Sequence, residues 1–212
     1  MFESLKRRVL NRLAYYTSLL KLQKILKRVD NSFLFVDCGA NVGDISELFL
    51  KRGATVKAFE PDLLAYKYLQ KRFAGADGIE IINKAVAIED GHAMFYYHKE
   101  RLNREGIEFT VSSSLLGEKL NVDQMHGVEV ETVNLCRYIE NLGRIIDVLK
   151  MDIEGEEIVL LNKMIEDGTY KKAKLILVET HETKIPGHTE KVALLKKLIL
   201  DKGIENIRLN WI

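Results

Sequence analysis

Six short apolar runs constrain this chain most: Phe33 to Cys38, Thr55 to Phe59, Ile79 to Ile82, Ile145 to Met151, Leu175 to Val178, and a last one within Ile204 to Trp211. Segments of helical spacing stand between most of them. These are Ile45 to Lys51, a helix that can begin at Pro61 and run through Phe73, Glu154 to Glu166, and Glu190 to Asp201. Runs with little polar alternation suit strands covered on both faces, and their alternation with helices implies a parallel sheet with crossover connections. Between Ala85 and Val133 the pattern changes. Glu89, Asp90 and Gly91 give a turn signal between Ala85 to Ile88 and Ala93 to Tyr97, which reads as a hairpin inserted after the third strand. The polar stretch from His98 to Gly127 reads as a loop or lid, followed by an alternating strand at Val128, Val130 and Thr132.

With 212 residues, one domain with a sizeable core is expected, here residues 31–212, preceded by a segment of its own over 1–30. That segment carries eight basic residues against Glu3 and Asp30, a balance of +6 in a chain of net charge +1, so the rest is at −5. Leu5, Val9, Leu13, Tyr16 and Leu20 recur on one helical face. Two uses fit such a basic amphipathic helix: packing on the domain with a solvated basic face, or peripheral contact with an anionic membrane surface. No apolar run reaches the roughly 18 residues of a membrane span, and no secretory signal is recognisable, so a cytoplasmic location is expected. Two cysteines, Cys38 and Cys136, are too few for a disulfide framework and read as reduced core residues.

The first run ends in Phe35-Val36-Asp37-Cys38-Gly39-Ala40-Asn41-Val42-Gly43-Asp44, where a buried strand turns tightly into a helix. Glycines at such a turn let a ligand approach the carboxyl edge of the sheet. The spacing is Gly39-x-x-x-Gly43, not the dinucleotide pattern, and the acids Asp37 and Asp44 beside the turn would repel a pyrophosphate. A ligand with an ammonium, a sulfonium and a carboxylate fits better, with Asp37 meeting the amino group and turn amides meeting the carboxylate. S-adenosylmethionine has those groups. Glu60 ends the second run 23 residues after Asp37, where an acid can accept hydrogen bonds from ribose hydroxyls. Asn83 ends the third, where an amide can reach an adenine edge. Asp37, Glu60, Asn83, Asp152 and Glu179 thus converge on one rim of the expected sheet, although each alone suits a helix cap.

Phe35 to Gly43, Phe59-Glu60-Pro61, Asn83-Lys84-Ala85-Val86-Ala87, Ser113-Ser114-Leu115 and Leu149-Lys150-Met151-Asp152-Ile153-Glu154-Gly155 together resemble the FkbM family of S-adenosylmethionine-dependent methyltransferases, in order and spacing, over about residues 33–180. The resemblance implies a class I methyltransferase (Rossmann-like) α/β fold, S-adenosylmethionine as cofactor, and O-methylation of a sugar, glycolipid or other natural product. It places the first cofactor motif on Asp37, Gly39, Ala40, Asn41 and Gly43, the ribose contact on Glu60 and the adenine end on Asn83, with Asp152 beside the cofactor.

An alcohol acceptor must lose a proton, so a base is expected at the rim. Lys150, Asp152 and Glu154 alternate at the end of the fourth core run, and Glu179 and His181 follow the fifth. Asp152, Glu154, Lys150 and His181 are the catalytic candidates, and Ser113, Ser114 and Glu179 the substrate-binding ones. A divalent cation on Asp152, Glu179 and His181 is a further arrangement these residues allow, but no fixed ligand spacing supports it and no metal ligand is assigned. Two alternatives stay open beside the methyltransferase: a non-catalytic module of the same fold, and a nicotinamide-dependent oxidoreductase. Nucleic acid is not expected as a partner, because the main domain is net negative and no Asn-Pro-Pro-aromatic segment follows the fourth run.

Overall fold

The computed structural model describes residues 20–99, 110 and 113–209. Six parallel strands form the main sheet in the order β3-β2-β1-β7-β8-β9: β1 Leu34–Cys38, β2 Thr55–Phe59, β3 Ile79–Ile82, β7 Val148–Met151, β8 Ile176–Val178 and β9 Ile207–Arg208. All five residues of β1 are buried, because helices cover both faces of the sheet. On one face α4 (Leu135–Asn141), α5 (Glu157–Asp167) and α6 (His188–Asp201) pack through residues such as Ile139, Leu161 and Leu195. On the other, α2 (Asp44–Leu50) and α3 (Leu63–Arg72) contribute Phe49 and Leu69, and Phe49 stacks on Phe35 of β1 with ring centroids 3.9 Å apart. The described part of α1, residues 20–26, joins that second face. Its Leu22 and Leu26 are buried while Lys21, Lys24 and Lys27 are exposed. The remaining positions of the expected basic helix, 1–19, lie outside the described residues.

Strand order reverses between β1 and β7, so the connections from these neighbours leave toward opposite faces and a crevice opens at their carboxyl ends. A three-stranded sheet in the order β4-β6-β5 stands over that crevice, with β4 Ala85–Ala87, β5 Gly91–His98 and β6 Val122–Asn134. The insertion lies where the sequence put it, but its strands pair differently. Ala85 to Ile88 does not form a hairpin with Ala93 to Tyr97; β5 pairs antiparallel with β6, and β4 pairs parallel with the other edge of β6. The 13-residue β6 pairs along both edges, while β4 has three residues. It also takes residues 122–127 out of the expected loop, and 100–109 and 111–112 of the remainder lie outside the described residues.

Helix starts shift for local reasons. α3 begins at Leu63 because the Asp62 side chain accepts hydrogen bonds from the amides of Leu64 and Ala65. α5 begins at Glu157 and not at 154, because Glu154 and Gly155 both take positive φ. The last strand lies parallel to β8. Cys38 and Cys136 are buried free thiols. No helix among the described residues is long and apolar enough to cross a membrane.

Candidate functional site

The crevice is a cleft lined by Gly39 and Asn41 after β1, Glu60 and Pro61 after β2, and Asp152 and Glu154 after β7. The β4 residues Ala85 and Val86 and Phe95 of β5 add apolar walls.

Gly39 makes this meeting of strand ends possible. Its φ is +81°, and a Cβ there would lie 1.9 Å from the Asp152 carbonyl oxygen, so any side chain would push β1 and β7 apart. Gly39→Ala is expected to destabilise the fold by about 2 kcal/mol, readable as a lower urea midpoint. Gly43 serves packing instead, since a Cβ there would meet Leu69 and Phe73 at 2.6 Å. The amides of this turn do not face the cleft as donors, as the sequence suggested. Those of Gly39 and Ala40 both bond to the Phe59 carbonyl, that of Gly43 bonds to Ala40, and that of Asn41 bonds to Glu60 Oε2 at 2.8 Å.

Asp37 is likewise turned inward. It is wholly buried, with Oδ1 3.0 Å from Lys150 Nζ and Oδ2 accepting from the Ser46 hydroxyl at 2.7 Å. The two residues are register partners on adjacent strands, so the charges meet across the middle of the sheet. Lys150 Nζ also donates to the Gly39 carbonyl at 2.9 Å and lies 3.6 Å from Asp152. Burial works against its charge, but Asp37 and Asp152 outweigh that and hold its pKa above the usual lysine value. A cation so fixed braces the glycine turn; it is placed neither to meet a ligand nor to take a proton.

Glu60 faces the cleft while two amides hold it, those of Asn41 and Asp62, each at 2.8 Å. Burial pushes its carboxyl from the ordinary 4.5 up to about 8. A carboxyl raised on folding contributes stability that is complete below its unfolded value and is lost as pH rises through about 8. Hydroxyl donors favour the ionised form and would recover that loss. Asn83 is directed elsewhere than the sequence suggested: its amide donates to the carbonyls of Glu60 at 2.8 Å and Pro61 at 3.1 Å, fixing the turn that presents Glu60.

Beyond β7 and β8 stands a group of charges. Glu154 pairs with the buried Lys119, and its Oε2 lies 3.0 Å from His181 Nε2. Burial alone would raise Glu154; His181 and Lys119 reverse that and hold it well below the usual carboxylate range. The His181 ring is fully buried, with Nδ1 3.2 Å from Glu157 Oε1 and Nε2 3.3 Å from Glu179 and 3.5 Å from Asp152. Burial opposes its charge, but Glu154 and Glu157 prevail and push it up to about 10. Protonated at neutral pH, it has no lone pair for a substrate proton. Glu179 is raised to about 7 by burial and by Asp152. Ser113 lines the cleft, while Ser114 ties its loop to Glu154 by donating to the Glu154 carbonyl at 2.7 Å.

Sequence reasoning missed Glu157, which is fully buried and accepts from the amides of Ile153 at 2.8 Å and Gly155 at 2.9 Å. An acid four residues after Ile153, at a helix start, was its only signal. Lys119 and Thr110, the latter 3.1 Å from the Asn41 amide, gave none.

A doubly wound parallel sheet with an acid-bearing cleft at its switch point is the layout of Rossmann-like folds that bind adenosine-containing cofactors, class I methyltransferases among them. The sequence matches the Methyltransferase FkbM domain over residues 37–203, and the chain belongs to that family. S-adenosylmethionine is accordingly its cofactor, which sets the oxidoreductase alternative aside. Among solved structures, it is similar to a methyltransferase FkbM from Methylobacillus flagellatus KT, at 16% identity and TM-score 0.50. That match covers 82% of this chain and 38% of the other, so this chain spans well under half of that protein's length. An rRNA methylase from Streptococcus thermophilus matches at 12% identity and TM-score 0.45, over 85% of this chain and 76% of the other. The N-terminal domain of human METTL16, solved with SAH, matches at 14% identity and TM-score 0.43, over 87% and 59%. No protein of curated function gives a significant match.

Proposed function

We propose that this protein transfers a methyl group from S-adenosylmethionine to a hydroxyl of a small acceptor: a sugar, a glycolipid or another natural product. The observation that supports this reading is that Asp152 and Glu154 line the same cleft as Gly39 and Glu60, which puts carboxylates next to the cofactor's expected place. Glu60 would hold the ribose hydroxyls, Gly39 would allow close approach of the backbone, and Ala85 and Val86 would offer apolar surface to the adenine. The bound cofactor supplies an electrophilic methyl group on sulfur.

What the chain itself must do is align the acceptor and take its proton. Asp152 is the group for that step: its side chain is 24% exposed, faces the cleft and has Lys150 3.6 Å behind it. With the methyl group supplied by the bound cofactor, the acceptor's hydroxyl proton would pass to the Asp152 carboxylate. Glu154, paired with Lys119, and Ser113 would orient the acceptor.

The test is transfer of labelled methyl groups to a panel of hydroxylated sugars, glycolipids and RNA. Asp152→Ala should lower kcat about 100-fold or more while S-adenosylhomocysteine still binds. Transfer to RNA and to no small acceptor would overturn the reading. Undiminished turnover in Asp152→Ala would remove that residue from the role.

The raised Glu60 carboxyl gives a second check. S-adenosylhomocysteine affinity should climb by up to about tenfold per pH unit toward pH 8 and level off above it, with a flat profile in Glu60→Gln.

A further inference from the structure

We propose that Asp152, Glu154, Glu179 and His181 form a binding site for one divalent cation, with Glu157 orienting the histidine from behind. The binding stands on these residues alone; the use made of the ion rests on the hydroxyl-acceptor reading above.

One ligand atom each from Asp152, Glu154 and His181 lies within 4.8 Å of the others. Ligands about 2.0–2.6 Å from a shared ion stand about 3–5 Å apart, so the three can meet on one ion without moving strands. Glu179 Oε1 stands 3.3 Å from the same ring nitrogen but outside that set of three, and would join the ion by a turn of its side chain.

The ring nitrogen itself is the independent sign. His181 Nε2 is buried and makes no hydrogen bond, although carboxylate oxygens of Glu154, Glu179 and Asp152 stand 3.0, 3.3 and 3.5 Å away. A ring N–H satisfies one acceptor along one direction, whereas three oxygens grouped around it without alignment resemble the spacing around a cation.

The far side of the ring is prepared as well. Glu157 is fixed by the amides of Ile153 and Gly155 and faces His181 Nδ1 at 3.2 Å. A carboxylate on Nδ1–H sets the tautomer that presents the Nε2 lone pair to a metal.

Lysines balance the acids when no ion is bound. Lys119 pairs with Glu154, Lys150 lies 3.6 Å from Asp152, and Lys184 lies 3.8 Å from Glu179 and 4.0 Å from Glu154. Lys184 is 41% exposed and free to turn toward solvent as an ion enters. Three carboxylates with one imidazole suit Mn²⁺ or Mg²⁺ better than a thiophilic metal. Asp152 and Glu154 also line the cleft, so an ion they hold borders the acceptor's space, where it would bind a substrate oxygen and ease loss of its proton.

The test uses the full chain, stripped with chelator and titrated with Mn²⁺ while electron paramagnetic resonance reads the free ion. One bound Mn²⁺ per chain is expected, at least about tenfold weaker in Glu179→Gln and absent in His181→Ala. Thermal unfolding without metal shows whether each variant is folded, and the near-isosteric Glu179→Gln keeps the test valid if His181→Ala is not. No binding of Mn²⁺ or Mg²⁺ at millimolar concentration, or equal affinity in wild type and Glu179→Gln, would overturn the site. Mn²⁺ binding in a protein that fails to bind S-adenosylhomocysteine would support the site and overturn the cofactor assignment.

Discussion

Above about pH 8, where the Glu60 carboxyl is ionised, Glu60→Ala is expected to weaken S-adenosylhomocysteine binding by about a thousandfold, or about 4 kcal/mol, in calorimetric titration. The figure comes from two ribose hydroxyls donating to a charged acceptor, each bond to a charged group being worth about 1.5–3 kcal/mol. Burial makes the effect larger than at an open surface, since water cannot reach the place of the missing carboxylate. The same substitution removes the acceptor for the amides of Asn41 and Asp62. A small loss of thermal stability should therefore accompany the loss of binding. Affinity within threefold of wild type would mean that the ribose lies elsewhere.

The second large effect concerns stability. Lys150→Met leaves Asp37 buried with Ser46 as its remaining side-chain partner, and breaking a buried pair from one side costs about 3–5 kcal/mol. Asp37→Asn leaves Lys150 the Gly39 carbonyl and Asp152 at 3.6 Å, so it should cost less. The double variant should be clearly more stable than the sum of the two losses predicts, with a coupling of about 2 kcal/mol or more from urea unfolding. Strict additivity would show that the pair does not act as a unit. Because Lys150 also holds the Gly39 carbonyl, Lys150→Met should disturb the turn that shapes the cleft.

The strands of the main sheet were legible because burial on both faces leaves a simple mark, a short run with few polar residues. Glu60 was legible for a related reason: an acid directly after such a run falls at the sheet's rim. Side-chain direction at that rim was not. Asp37 stands within its run, opposite Ala58, and Glu60 just past the end of its own, and one turns inward to Lys150 while the other lines the cleft. That choice depends on what the neighbouring strand sets opposite each, here Lys150 beside Asp37, and the register is not written in either run. Asn83 was misdirected for the same reason, its amide being taken by the turn at Glu60 and Pro61. The pairing of β4 with β6 joins residues 47 apart, as with Ala85 and Thr132, and no local turn signal announces a contact of that range. Lys119 and Glu157 escaped because a lone charge in a polar stretch looks solvated until partners from other segments close over it.

The parallel ladder of Ala85–Ala87 with Thr132–Asn134 clamps the insertion where it leaves and re-enters the main fold. Whatever lies between those two points begins and ends at fixed neighbouring positions, so lengthening it adds only a slowly growing closure entropy and moves none of the strands that carry Gly39, Glu60 or Asp152. Residues 88–131 thus behave as an exchangeable cassette. Descendants of this chain can trade that cassette to take new acceptors while inheriting the cofactor cradle intact, and a graft between relatives that exchanges residues 88–131 whole and keeps both sides of the ladder should preserve folding where one that exchanges only one strand of the β5–β6 pair would not.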